Sequence, residues 1–461
     1  MIQIDEKFRK VYYQVEKALK SDYSIIIILG LRKTGKTKIL QQLAEHHSGF
    51  YVDFRDYSRN SNEYYDILDR NEKLLLFDEI GYLQDFDIYL GRLPEDLAKK
   101  HKKVVLTSSS YGTLKQLAHE KLGGGRAYKI ELFPLDFEEY LYFSNKIQNY
   151  KDNYLPTLDD VWGFFRLDGI PIDMRFIVDE QYMLDTFSDT YTAHVNQDGS
   201  KRDIVLTEPQ YRSIIDLLAY TLNEHISVER LQGKKQIGVR ELGSNVRGLK
   251  ISSSLIGFAN RAANKMGVDE IAKIVAFLYR NGFLFADLVQ QNRSRQNPDD
   301  IVQILLSVLT VEDLKAVLNK YTLSVISPLL YTRLMINLEI MANIVCGNND
   351  LLGLMFELAM KSEIIYKDGY MMYHYTYKYS YALREVDINY RNLLIECSLR
   401  HKKGDERSVD KVFKNIELIR VLTDKPGVFE KRDNYYLIGF PQALLMLSNN
   451  SIFDLSATKC Y

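Results

Sequence analysis

The sequence predicts a multidomain α/β chain whose N-terminal part is a parallel sheet with crossover helices. Three observations lead there. Short apolar runs alternate with polar helical stretches from Met1 to about Tyr150, the order that strand, crossover helix and parallel strand require. Two of the runs, Ile25-Ile-Ile-Ile28 and Leu74-Leu-Leu-Phe77, are continuously apolar, as strands buried on both faces are. A glycine-containing segment, Gly30 to Thr37, sits between the first run and a helical stretch.

Taken in order, strands are expected at Tyr23–Gly30, Gly49–Phe54, Lys73–Phe77, Lys103–Thr107 and Ala127–Leu132, with a helix over Lys38–Glu45. From about Lys151 to Asn292 the spacing turns helical, with apolar residues three and four apart along Tyr211–Leu222 and Ile271–Leu278. Asn281–Ala286 reads as a glycine stop and a short strand, and Gln291–Asp300 as a loop. After a further helical section to about Asn349, a helix is expected at Met355–Tyr366. Strands follow at Met371–Tyr379, Leu383–Asn389 and Leu393–Ser398, then a helix at Val409–Val421 and a strand at Tyr435–Gly439. No fixed repeat is found, which argues against a solenoid.

With 461 residues the chain exceeds one ordinary core. Its formal net charge of -1 supplies no global field toward nucleic acid, so any such binding must be local. No apolar run approaches the ~20 residues of a membrane span, and no secretory signal is read at the N-terminus, so a cytoplasmic protein is expected. Cys346, Cys397 and Cys460 are far apart and odd in number, unlike a disulfide framework or a zinc site. The tyrosines, 33 against 21 phenylalanines, are dispersed, which suits the edges of cores better than stacking on bases.

Gly30-Leu-Arg32-Lys33-Thr34-Gly35-Lys36-Thr37 fits G-x-x-x-x-G-K-[ST] after an apolar strand and before a helix, the context of a P-loop. Glycines let the backbone curl with its N–H groups inward, where they and the helix N-terminus hold phosphate oxygens. Gly30, Arg32, Lys33, Thr34, Gly35, Lys36, Thr37 and Lys38 are therefore the candidate nucleotide contacts. Lys36 would reach the β- and γ-phosphates and Thr37 would ligate Mg2+. The run ending in Asp78-Glu79 offers Asp78 as a second metal-side acid and Glu79 to orient or deprotonate water, although adjacent acids at a strand end are also common. Val104-Val-Leu-Thr107 ends in Ser108-Ser109-Ser110; Thr107 and Ser109 are candidates to sense the γ-phosphate, or else belong to a helix cap.

These segments, with Gly125-Arg126 and Leu132-Phe-Pro134-Leu-Asp-Phe-Glu-Glu-Tyr-Leu141, resemble the prokaryotic AAA-type ATPases of the archaeal-ATPase group. Phe165-Arg-Leu-Asp-Gly169-Ile-Pro171 resembles the turn of that family's helical lid. The resemblance implies ATP and Mg2+ as ligands and a parallel-sheet P-loop NTPase core over residues 1–150. It implies a helical lid over 151–207, a winged helix over 208–305, and a helical linker with a restriction-endonuclease-like mixed α/β domain over 306–461. Arg126 would be a cation near the γ-phosphate, in its own subunit or across an interface, unless it pairs with a core acid. In the nuclease-like domain the matching positions are Glu357, Asp387 and Glu396, with Ser398 where the family has lysine. Arg400 or Lys402 is a candidate substitute, and an inactive domain is the favoured expectation, with weak metal binding open.

The functions implied are a nucleotide-driven switch acting on a protein effector or assembly, with a homo-oligomer in view, or a DNA-associated ATPase of a defence system or mobile element. A metal-dependent nuclease is a third class. For DNA, the candidate surface is the basic segment 230–265, with Arg230, Lys234, Lys235, Arg240, Arg247, Lys250, Arg261 and Lys265, which would neutralise phosphates without reading sequence. A solvated helical face explains the same charges.

Overall fold

In the computed structural model the described residues are 6–56, 61–83, 86–109, 114, 118, 121–122, 125–171, 175, 225–226, 285–291, 323–326, 349–368, 373–379, 382–390, 393–398, 417–422, 425, 427–431 and 435–454. The N-terminal part contains α1 (Lys10–Leu19), β1 (Ile25–Gly30), α2 (Lys36–His47), β2 (Phe50–Asp53), α3 (Ser61–Leu68), β3 (Leu74–Asp78), α4 (Phe86–Lys100), β4 (Lys103–Thr107) and β5 (Ala127–Leu132). α5 (Phe137–Phe143) and α6 (Leu158–Arg166) follow.

The five strands form one sheet in the order β2-β3-β4-β1-β5, and every pairing is parallel. β1 sits inside it with all six residues buried, so isoleucine can occupy successive positions on both faces. One face packs Ile25, Ile27 and Leu29 against α3 and α4 through Tyr64, Leu90 and Leu93. The other packs Ile26 and Ile28 against α1 and α2 through Val15, Ile39 and Leu43. Each fully buried apolar side chain contributes about 1.5–3 kcal/mol relative to exposure, so the strand that carries the P-loop is firmly held from both faces.

All five strands lie where the sequence places them, give or take two residues, and α2 starts at Lys36, two residues earlier than expected. This is a parallel-sheet P-loop NTPase core.

The C-terminal described elements are α7 (Asn349–Asp368), β9 (Tyr373–Tyr379), β10 (Ala382–Tyr390), β11 (Leu393–Ser398), β12 (Glu417–Leu422), β13 (Phe429–Lys431), β14 (Tyr435–Gly439) and α8 (Phe440–Ser448). Three strands from the middle of the chain, β6 (His225–Ile226), β7 (Phe285–Gln291) and β8 (Leu323–Ile326), join them in a nine-stranded sheet ordered β13-β14-β12-β11-β10-β9-β7-β8-β6. β7 runs parallel to β9, with Leu288 opposite Tyr373.

Two expectations need correction. Val409–Val421 was read as helix, but Glu417–Leu422 is strand β12, parallel to both β11 and β14. Its Ile419 and Val421 are buried at alternate positions, so pleated packing between two strands decides the matter over a short helical spacing. The strand expected at Asn281–Ala286 is described only as Phe285–Gln291, whose last residue begins the expected loop. The helices read at Tyr211–Leu222 and Ile271–Leu278, the basic residues from Arg230 to Lys265, and Arg400 and Lys402 lie outside the described residues. Among the described residues no helix is long and apolar enough to cross a membrane.

Candidate functional site

Parallel pairing puts the C-terminal ends of β1, β3 and β4 along one edge of the sheet, the edge where open α/β sheets bind ligands. The loop leaving β1 turns there because its backbone is unusual. Lys33 has φ 61° and Gly35, the residue preceding α2, has φ 98°. Gly30 is needed for a different reason: a Cβ there would stand 2.4 Å from the Leu132 carbonyl oxygen of β5 and 3.0 Å from Thr34 Oγ1. Thr34 Oγ1 donates to the Leu31 carbonyl at 2.7 Å and so closes the loop from inside.

Lys36 is buried, 5 % exposed. Its Nζ donates to the carbonyls of Gly30 at 2.9 Å and Leu31 at 2.8 Å, which uses two of an ammonium's three donors. Burial pulls its pKa below the ordinary lysine value, and Glu79 and Asp78 oppose that shift. The cation and the two acids thus lie at the same C-terminal edge of the sheet, within electrostatic influence of one another. Of the other loop residues, Thr34 is buried, Arg32 and Thr37 are half-buried, and Lys33 and Lys38 are exposed.

Asp78 is fully buried at the tip of β3. One oxygen accepts from Thr107 Oγ1 at 2.5 Å and from the Glu79 N–H at 3.1 Å; the other accepts from the Tyr51 hydroxyl at 3.0 Å. Thr107 is thus brought to the acid, as its place on the neighbouring strand implies. Tyr51, on β2, is a residue the sequence reading missed. Burial, then Asp78, push its hydroxyl pKa well above the usual tyrosine range, so it remains a donor.

Glu79 adopts φ 51°, a left-handed conformation that costs a non-glycine residue about 1–3 kcal/mol. Two contacts hold it: its carbonyl accepts from Tyr82 N at 3.0 Å, and its carboxylate accepts from Ser109 N at 2.7 Å. Ser109 therefore reaches the acid through its backbone. Beyond β2, Arg55 clamps Asp53, with Nη2 to Oδ2 at 2.5 Å.

Arg126 lies toward the opposite end of the sheet from the loop of its own subunit. It is exposed and precedes Ala127, which pairs with Ile25 at the start of β1, while Leu132 pairs with Gly30. Six strand positions at ~3.3 Å each place it roughly 20 Å from the loop of its own subunit, beyond the reach of its side chain. Of the two placements expected, only one across an interface is compatible with this register. Gly169, with φ 77°, lies in the turn after α6 together with Pro171.

In the C-terminal part, Glu357 lies on α7, Asp387 on β10, and Glu396 and Ser398 on β11. β10 and β11 are antiparallel neighbours, with Ile388 opposite Ile395. Sequence reasoning also missed Lys361, one helical turn from Glu357, whose Nζ lies 2.7 Å from Glu357 Oε1 and which is nearly fully buried. The i, i+4 spacing was the available signal.

Residues 22–141 match a family model described as an AAA domain, a span that takes in the whole parallel sheet, the P-loop and most of α5. An uncharacterised protein of Methanocaldococcus jannaschii is 25% identical over 247 residues, covering 50% of this chain and 54% of that protein. The chain thus spans about half the length of that relative. Among solved structures, the chain resembles a Walker-type ATPase of Pyrococcus abyssi at 16% identity and TM-score 0.31, over 66% of this chain and 97% of that one. It also resembles AMPPCP-bound DnaA of Aquifex aeolicus at 17% identity and TM-score 0.27, over 58% and 82%. Likeness at these TM-scores carries no argument here. The AAA-domain match thus falls on the same residues as the five-stranded parallel sheet and its P-loop.

Proposed function

We propose that the chain binds ATP with Mg2+ and hydrolyses it to ADP and phosphate, as a cytoplasmic nucleotide-driven switch that acts on an effector or assembly. One observation carries this reading: a buried lysine ammonium and two strand-end acids lie at the same edge of the parallel sheet, beside a loop whose first glycine admits no Cβ. The residues fit the ligands. The loop would supply backbone donors, Lys36 a cation for the β- and γ-phosphates, and Thr37 and Asp78 hard oxygen ligands of the kind Mg2+ prefers.

Bound there, Mg2+ would neutralise charge on the phosphate oxygens. Lys36 would hold the phosphates in place, and Glu79 would accept a proton from the attacking water as its oxygen bonds to the γ-phosphorus and the bond to the ADP oxygen breaks. The Ser109 amide keeps the Glu79 carboxylate oriented for that role. Arg126 would act, if at all, on the nucleotide of a neighbouring copy, which is the reason a homo-oligomer belongs to this reading.

The test is phosphate release from ATP with Mg2+ and with EDTA, with and without duplex DNA, together with the mass in solution when a non-hydrolysable analogue is added. Magnesium-dependent turnover that DNA leaves unchanged, with a nucleotide-dependent mass, supports the switch. Stimulation by DNA moves the assignment to a DNA-associated ATPase acting through residues 230–265. Absence of both binding and turnover sinks the proposal.

For the C-terminal sheet we propose a structural or binding role instead of nuclease activity. Ser398 stands where a lysine is needed, and Lys361 ties up Glu357 as an ion pair.

A smaller prediction concerns Tyr51. Groups that orient a ligating carboxylate typically matter about 10–100-fold in metal affinity. Tyr51→Phe is therefore expected to raise the Mg2+ concentration for half-maximal turnover by about tenfold, with little change in the maximal rate. A magnesium titration of ATPase activity reads this directly, and an unchanged midpoint would show that Thr107 and the Glu79 N–H suffice to hold Asp78.

A further inference from the structure

The contacts of Arg9 link the P-loop to the far end of the chain. Arg9 immediately precedes α1, and its side chain is 12% exposed. Its Nη1 donates to the Thr34 carbonyl, inside the P-loop, at 2.9 Å. Its Nη2 donates to the carbonyls of Phe133 at 2.9 Å and Pro134 at 3.3 Å, in the segment that joins β5 to α5. Nε and Nη2 also grip both oxygens of Glu139, at 2.9 and 2.7 Å. One planar guanidinium thus ties two stretches of backbone, through three carbonyls, to one carboxylate, which a lysine cannot do because it lacks the fork.

Glu139 belongs to the first turn of α5, and that turn is completed by the C-terminal elements. The Glu139 N–H goes to Asp136 in a capping box. The Phe137 N–H, however, donates to Glu363 Oε1 on α7 at 2.9 Å, and the Glu138 N–H donates to Ser448 Oγ at the end of α8 at 2.8 Å. Lys10, next to Arg9, donates to the Ser448 carbonyl at 2.9 Å and to Asp136 at 2.7 Å, and pairs with Glu138 at 2.7 Å. The rings of Phe133 and Tyr366 stack at 5.4 Å across the same junction. Burial, and then Asp136, push the Glu363 carboxyl well above the usual range, while burial draws Lys367 down to about 8. Unpaired N–H groups at a helix start must find acceptors, and here two of them find acceptors only when α7 and α8 are seated.

We propose that Arg9 is a positioning residue that fixes the P-loop backbone at Thr34 and links it, through Glu139 and the first turn of α5, to the seating of α7 and α8. Nucleotide affinity and the docking of the C-terminal helices then influence each other reciprocally, as two linked equilibria must. This gives the proposed switch a route from the nucleotide to the C-terminal sheet, and it rests on the nucleotide reading of Gly30–Thr37.

The test uses the full chain and four variants: Arg9→Lys, Ser448→Ala, the double variant, and Thr157→Ala. Thr157 caps α6 through Asp160 N and makes none of the hydrogen bonds of Arg9, Glu139 or Ser448, and so serves as a control for lost helix stability. Two readouts are taken: hydrogen exchange of the peptide covering residues 30–40 with no nucleotide added, and the dissociation constant of a magnesium-bound, non-hydrolysable ATP analogue. Arg9→Lys is expected to speed exchange and weaken binding about tenfold. Ser448→Ala, although on α8, is expected to weaken binding about threefold. The double variant should fall no further than Arg9→Lys, because both changes break one chain of contacts. Thr157→Ala should alter neither readout. The proposal is overturned if Ser448→Ala matches wild type in both readouts, if the two losses add in full, or if Thr157→Ala reproduces them. Should the wild-type chain fail to bind the analogue, the nucleotide reading falls, and the exchange measurement alone still decides whether Arg9 and Ser448 act on the loop.

Discussion

Replacing Lys36 by methionine is expected to abolish measurable binding of magnesium-ATP, a loss of at least about a hundredfold, or about 3 kcal/mol. In the proposed site the Lys36 ammonium is the buried cation offered to the phosphate oxygens, whereas Lys33 and Lys38 are exposed. Methionine keeps most of the stem's volume in a site that is 5 % exposed, so cavity formation does not confuse the result. It does leave the Gly30 and Leu31 carbonyls without their donor. An unsatisfied buried acceptor costs about 1–3 kcal/mol, partly offset because a buried charge is also removed. Thermal unfolding of the variant separates the two effects. A variant that folds with a modest drop in Tm and binds no nucleotide supports the assignment, whereas wild-type affinity in a folded Lys36→Met protein ends it.

Much of this region could be read directly from the sequence because its determinants are local. Ile25 to Leu29 are adjacent in the chain and all buried, so their composition reports their environment. Gly30 and Gly35 are required by the loop itself, one by a neighbouring carbonyl and one by its φ. The residues that escaped notice act across long separations. Tyr51 reaches Asp78 from the next strand, and Arg9 reaches Glu139 across 130 positions; neither position carries a local pattern that would have marked it. The sequence leaves Arg126 open between its own loop and a neighbouring copy because a motif places residues along the chain, whereas sheet register decides which end of the sheet they occupy. β12 was misread for a related reason. Glu417–Leu422 has no helix-breaking residue, and only its position between two parallel strands makes it extended.

Glu79→Gln is expected to separate binding from chemistry. A general base contributes roughly 10²–10⁴-fold to rate, so the turnover number should fall by at least about a hundredfold while analogue affinity stays within a fewfold of wild type. Glutamine is the appropriate probe because its side-chain oxygen can still accept the Ser109 N–H that Glu79 accepts at 2.7 Å, and its backbone can keep the bond from Tyr82 N. The left-handed conformation at φ 51° is therefore retained, and what changes is the ability to take a proton from water. That strain is informative in itself. A glycine would occupy this conformation without cost, yet a glutamate stands here, held by two neighbours and aimed at the strand edge that carries Lys36 and Asp78. Backbone strain of this kind accumulates where orientation of a side chain matters more than stability. Single-turnover phosphate release alongside equilibrium binding decides the point. Equal loss of affinity and rate would make Glu79 a structural brace for the loop, and an undiminished rate would leave the proton acceptor to be found elsewhere in the site.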